Sequence, residues 1–273
     1  MAAVAAPHAS VAVKGCYGSG KTFISAALVL WWVYARDGIA LTTAPTGDQV
    51  RTQLWAEIHK AHGAARRPLP GAPIQTELRC SPDVFAIGRS TDQGIRFQGY
   101  HGKRVLVVVD EAPGIGADID EAIESIRASG DVRVLKLGNP TLTSGPFYAA
   151  FTAVRARWRA FTIDAFETPN LAGLDLAALL ALPEGELDRN PRPYLVTRRW
   201  VRDRYVGWGE QSPLWQARVR GRFPTQGEDA LIPLAWLEAA AAPPEPTGAA
   251  PVAGVDVAGP GEDETVLAVR QGG

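Results

Sequence analysis

Residues Gly15-Cys16-Tyr17-Gly18-Ser19-Gly20-Lys21-Thr22 bring glycines, a lysine and a hydroxyl together at the spacing G-x-x-x-x-G-K-T. That spacing makes a phosphate cradle. The glycines let the backbone curl so that successive N–H groups converge on anionic oxygens, the lysine reaches the β- and γ-phosphates, and the hydroxyl meets Mg²⁺. Gly15, Gly18, Ser19, Gly20, Lys21 and Thr22 are therefore candidate ligands for a nucleoside triphosphate such as ATP, with Thr22 also a candidate metal ligand. A second reactive pair, Asp110-Glu111, directly follows the apolar run Val105-Leu106-Val107-Val108-Val109. Asp110 is placed to hold Mg²⁺ through water, and Glu111 to polarise an attacking water. A carboxylate base beside the metal ligand suits transfer of a γ-phosphoryl group to water rather than to a small-molecule acceptor.

Such a cradle needs a strand before it and a helix after it. Residues 10–14 read as the strand and 22–34 as a helix apolar on most sides, which puts bound phosphates at a helix N-terminus. A strand over 39–43 follows, then an amphipathic helix over 48–62 with Val50, Leu54 and Ile58 inward. Residues 74–79 and 84–89 read as a β-hairpin, 118–129 as a helix with Ile119, Ile123 and Ile126 inward, and 132–137 and 157–163 as further strands. The acidic run of that second helix reads as a solvated face. Strands alternating with helices predict a mainly parallel, three-layer α/β sheet, with ligands beyond the strand C-termini. Lys21, Asp110, Glu111 and Asn139 all follow predicted strands in that way.

The chain has 273 residues, 46% hydrophobic and 21% charged, enough for one sizeable core and the start of a second domain. A net charge of −1 excludes a global nucleic-acid signature, so any such surface is local. The two cysteines, Cys16 and Cys80, make no disulfide framework and suit a reducing cytoplasm. Cys80 reads as a small buried residue, and the four histidines show no metal spacing. No signal peptide or membrane span is evident. From 191 onward the composition shifts. Arg189, Arg192, Arg198, Arg199, Arg202, Arg204, Arg218, Arg220 and Arg222, opposed within the stretch only by Asp203 and Glu210, are interleaved with Trp200, Trp208 and Trp215. Two readings stay open: a surface tracking a phosphate backbone, or a helical subdomain whose tryptophans are core and whose arginines pair with acidic neighbours. Residues 241–250 read as a linker, and 251–256 and 264–270 as two strands joined by a turn.

Four stretches in order carry a family likeness: Gly15–Thr22 with Trp31-Trp32; Thr42-Thr43-Ala44-Pro45-Thr46 running into Gln49-Val50; Gly99-Tyr100-His101-Gly102 followed by Val107–Ala112; and Gly138-Asn139-Pro140-Thr141 with Gly145-Pro146-Phe147-Tyr148. The chain resembles the large terminase subunit of tailed bacteriophages and prophages, the ATPase that packages DNA. The resemblance implies a P-loop, RecA-like (ASCE) core over 1–190, a small Arg/Trp-rich helical subdomain over 191–240, a linker over 241–250 and the opening hairpin of an RNase H-like nuclease domain over 251–273. Asp256 matches that domain's first metal-binding carboxylate, which works with Mg²⁺ or Mn²⁺ only when later strands supply the others. Asp263 and Glu264 lie in the same hairpin, so an incomplete nuclease is expected. Asn139 matches the motif coupling hydrolysis to movement, its bland counterpart being a bond within its own turn. Arg96 is the first candidate for an arginine finger and Arg104 the second. The expected partners are double-stranded DNA, a homo-oligomeric ring on a portal and a small terminase subunit, in the host cytoplasm and away from membrane. About a dozen residues precede the phosphate loop, where the family places a segment contacting adenine. A helicase-like or DNA-remodelling ATPase and an inactive nucleotide-binding assembly module are the alternatives.

Overall fold

Residues 105–109 are apolar at every position because both of their faces are covered. In the computed structural model, which describes residues 2–90, 100–128, 130–224, 250–258 and 265–271, they lie in the strand β5 (Arg104–Val109) near the middle of a seven-stranded sheet. The other strands are β1 (Ser10–Gly15), β2 (Ile39–Ala44), β3 (Glu77–Ser81), β4 (Val84–Ser90), β6 (Asp131–Gly138) and β7 (Arg159–Ile163), in the order β3-β4-β2-β5-β6-β1-β7. Only β3 runs antiparallel to its neighbour, through the expected hairpin with β4. Every other pairing is parallel.

Alternate side chains of β5 serve opposite faces, as the period of a strand requires. Val105, Val107 and Val109 join a core with Ile119, Ile123 and Ile126 of the helix Ala117–Arg127. Leu106 and Val108 join the other, with Trp32 of the helix Lys21–Arg36 and with Val50, Leu54 and Ile58. Segment 47–63 starts on a capping box between Thr46 and Gln49 and passes through a π-helical stretch, Val50–Trp55. That stretch buries Trp55, whose Nε1 donates to Thr42 Oγ1 at 2.9 Å. The acidic helix is less simply solvated than its sequence predicts: Asp120 turns under to pair with Lys136 of β6, which is 3% exposed. Cys80 is exposed, not buried as expected, because it lies near the end of the edge strand β3.

Contacts divide the chain into two compact units, Met1–Asp229 and Ala230–Gly273. In the second, β8 (Pro251–Asp256) and β9 (Val266–Gln271) pair antiparallel, with Asp256 opposite Val266. The linker residues 241–249 lie outside the described residues. Among the described residues no helix is long and apolar enough to cross a membrane.

Candidate nucleotide site

The phosphate loop crosses from β1 into the helix Lys21–Arg36, and its neighbours hold it at both ends. Cys16 N donates to Ile163 O of β7 at 2.9 Å, and Asn139 Nδ2, at the tip of β6, donates to Gly15 O at 2.6 Å. The Asn139 side chain therefore bonds the loop, while its backbone carbonyl accepts from Thr141 N within its own turn at 2.8 Å. It ties the strand between β1 and β5 to the first residue of the loop. Lys21 Nζ folds back into the loop, donating to Cys16 O at 2.9 Å and to Ser19 Oγ at 3.3 Å. Burial lowers the pKa of this ammonium, opposed by the negative charge available at Cys16, Glu111 and Asp110.

Asp110 directly follows β5 and is 2% exposed. Its Oδ1 accepts from Glu111 N at 3.1 Å, while Oδ2 is buried without a hydrogen-bond partner. Burial, reinforced by the charge of Glu111, pushes its carboxyl up to about 6, and Lys21 and the Thr22 hydroxyl pull the other way. A buried carboxylate oxygen left over beside a hydroxyl is an all-oxygen donor set that fits Mg²⁺. Glu111 has a left-handed backbone, φ 47°, where it enters the short 3₁₀ turn Ala112–Gly114. For a residue with a Cβ this conformation costs about 1 kcal/mol, and such strain concentrates at functional positions. It turns Glu111 out of the strand line and into the cavity that Ser19, Lys21, Thr22 and Asn139 also line.

A further wall comes from a part of the chain that the sequence does not connect with the phosphate loop. Segment 164–222 returns across the loop: Val196 N donates to Gly18 O and Tyr17 N donates to Arg218 O, both at 2.9 Å. Gly18, at φ +60°, passes so close that a Cβ there would lie 2.8 Å from Val196 N. Gly221, also at φ +60°, would put one 2.5 Å from Ile163 O and 3.0 Å from Gly15 Cα. Cys16, Val196, Val201 and Trp215 share a third hydrophobic cluster directly behind the loop, where burial raises the Cys16 thiol to about 11. Several residues of the Arg/Trp-rich stretch show the packing and pairing that the structural reading expects. Trp215 is core, Arg199 pairs with Asp188 and Glu184, Arg202 with Glu184, Arg189 with Glu186 and Arg220 with Asp164. No sequence signal marks Val196 or Gly221 as partners of the loop, because their contacts span the length of the core.

Other expected residues stand elsewhere. Arg96 lies outside the described residues, as do Asp263 and Glu264. Arg104 opens β5, so about 20 Å of strand separates it from Asp110 and it does not line the cavity. Asp256 sits in the second unit, and no group of three metal-binding side chains occurs among the described residues.

No family model matches the chain. It is 28% identical over 135 residues to the "Probable terminase, large subunit" of Enterobacteria phage P7, a match covering 49% of this chain and 24% of that protein. Over about half of its length the chain is thus similar to a phage large terminase subunit. Its fold agrees: the large terminase ATPase domain of Thermus phage P74-26 matches with a TM-score of 0.52 and 15% identity, over 80% of this chain and 90% of that domain. The HK97 bacteriophage large terminase matches with a TM-score of 0.54 and 15% identity, over 96% of this chain and 56% of that one. The mainly parallel sheet with helices on both faces is thus the large-terminase ATPase fold, and the match to the phage P7 protein spans about a quarter of its length.

Proposed function

We propose that this terminase relative is the ATPase motor of a DNA-packaging machine, hydrolysing ATP with Mg²⁺ to drive double-stranded DNA into a capsid. The observation that carries the reading is the convergence of Lys21, Thr22, Glu111 and Asn139 on one cavity, with Asp110 buried behind them. The loop N–H groups and Lys21 would hold the phosphates, and Thr22 and Asp110 would hold Mg²⁺. The metal would neutralise charge developing between the β- and γ-phosphates. Glu111 takes a proton from the attacking water, while Lys21 leaves its present carbonyl partners to meet the γ-phosphate. Asn139, joined to Gly15, links the loop to the strand beside Asp110 and is the route by which loss of the γ-phosphate would move the sheet edge. Partners would be DNA held by its phosphates, a ring of copies on a portal and a small terminase subunit.

Steady-state ATP hydrolysis by three variants tests this reading. Lys21→Ala should abolish turnover and weaken nucleotide binding, because the transition state loses its charge partner. Glu111→Gln keeps the shape but not the base, so ATP and Mg²⁺ should bind while turnover falls by on the order of 10²-fold or more. Asp110→Asn should lose the Mg²⁺ dependence of binding. Near-normal turnover in Lys21→Ala would overturn the assignment, and absence of turnover in the parent chain with intact binding would favour a nucleotide-binding assembly module.

A further inference from the structure

Three aromatic side chains that line the phosphate cavity stand exposed, Tyr17 at 38%, Phe23 at 58% and Tyr194 at 78%, and Leu142, on the loop after β6, is exposed at 49%. Single exposed apolar residues are ordinary, but three aromatic rings lining one cavity form a surface suited to a flat apolar ligand. Their placement is fixed by the loop itself. Tyr17 is held between the Trp200 ring, 6.1 Å away, and the Arg218 guanidinium, 5.3 Å from its centroid. Phe23 directly follows Thr22 in the first turn of the helix. Tyr194 precedes Leu195 and Val196, which pack against Gly20 and Gly18.

The sheet order gives the direction of a bound triphosphate. Its γ end belongs with Glu111 at the end of β5, which lies on the β6 side of β1. The nucleoside end then points away from β5, toward the side of β7 and segment 164–222, which carries Tyr194, Leu195 and Arg218. The polar residues Gln49, Glu57 and Lys60 line the cavity from the helical segment after β2, on the β5 side.

We propose, on the strength of the phosphate-loop reading above, that the nucleobase stacks among Phe23, Tyr194 and Leu195, held by ring faces and not by hydrogen bonds to its edge. Stacking accepts any base, since every base has a π-face. The site therefore takes purine nucleotides without choosing between adenine and guanine, and pyrimidine nucleotides more weakly through their smaller area.

Calorimetric titration with ADP, GDP, CDP and inorganic pyrophosphate, each with Mg²⁺, tests this. The parent chain should bind ADP and GDP within about tenfold of each other and both more tightly than pyrophosphate. The double variant Phe23→Ala/Tyr194→Ala should lose about tenfold or more in affinity for both nucleotides yet bind pyrophosphate as the parent does, which also shows that the loop is intact. A preference for ADP over GDP beyond about tenfold would overturn the proposal, because it requires readout of the base edge. An equal loss for pyrophosphate would overturn it too, since the rings would then only support the loop. Pyrophosphate binding with no gain from any nucleoside removes the base site alone. If none of these ligands binds and Lys21→Ala behaves like the parent, the phosphate site and the base site fall together.

Discussion

Arg133 is a charged side chain 1% exposed, and its surroundings explain how the core tolerates it. Two of its nitrogens donate to the Asp131 carboxylate at 3.2 and 2.6 Å, a third donates to Val4 O and Ala5 O, and the guanidinium lies 4.7 Å from the Trp32 ring centroid. The arrangement fastens the N-terminal turn Ala2–Ala5 to β6. Burial pushes the Asp131 carboxyl up, but the hydrogen bonds from Arg133 and from His8 N outweigh it and hold it below the usual carboxylate range. A depressed acid stabilises the fold above its unfolded value, near 3.9, and loses that contribution as pH falls through its lower folded value. Asp131→Asn should therefore cost on the order of 2 kcal/mol at pH 7. The gap from the parent should close in chemical denaturation below about pH 3.9. A gap independent of pH would assign the loss to packing. Arg133→Ala should cost more, about 3–5 kcal/mol, by stranding a partly buried carboxylate.

Among the elements, the contact between segment 164–222 and the phosphate loop is built from backbone, and so depends on glycine. Gly221→Ala forces a Cβ against Ile163 O and Gly15 Cα in a left-handed conformation. It should lower stability by about 2 kcal/mol and weaken nucleotide binding as well, because the obstruction moves the loop. Gly207 provides the contrast: it lies within the helix Arg198–Trp208 with no heavy atom within 4 Å of an added Cβ. Gly207→Ala should stabilise by about 0.5–1 kcal/mol and leave nucleotide binding unchanged. Thermal melts and nucleotide titration of the two variants check both outcomes. Equal effects would mean that the loop does not depend on this backbone approach.

For the whole molecule, the two compact units predict different chemistry. The hairpin β8–β9 presents Asp256 in an exposed strand, and nucleases of the two-metal type need several carboxylates around their ions. This chain should hydrolyse ATP while leaving supercoiled plasmid intact, even with excess Mn²⁺. Plasmid nicking that depends on metal and disappears in Asp256→Ala would show that the hairpin assembles a site with further acids or with a second copy.

What the chain determined by itself is local. The phosphate loop, the strand ending in Asp110-Glu111 and the alternation of strands and helices are written in contiguous residues, because backbone curl, strand period and helix period act over short stretches. The resemblance carried by four such stretches pointed to the proteins the chain is similar to and to their fold for the same reason. Tertiary structure decided whatever depends on meeting across the core. It turned Asn139 toward Gly15, hid Lys136 over Asp120, and laid Val196 and Arg218 against the loop. It also placed Arg189, Arg199, Arg202 and Arg220 in ion pairs and packed Trp200, Trp208 and Trp215 into one cluster, which composition alone does not show. The left-handed turn at Glu111 belongs with these, since nothing in that residue type prefers it: the surrounding packing imposes a conformation that the local chain disfavours.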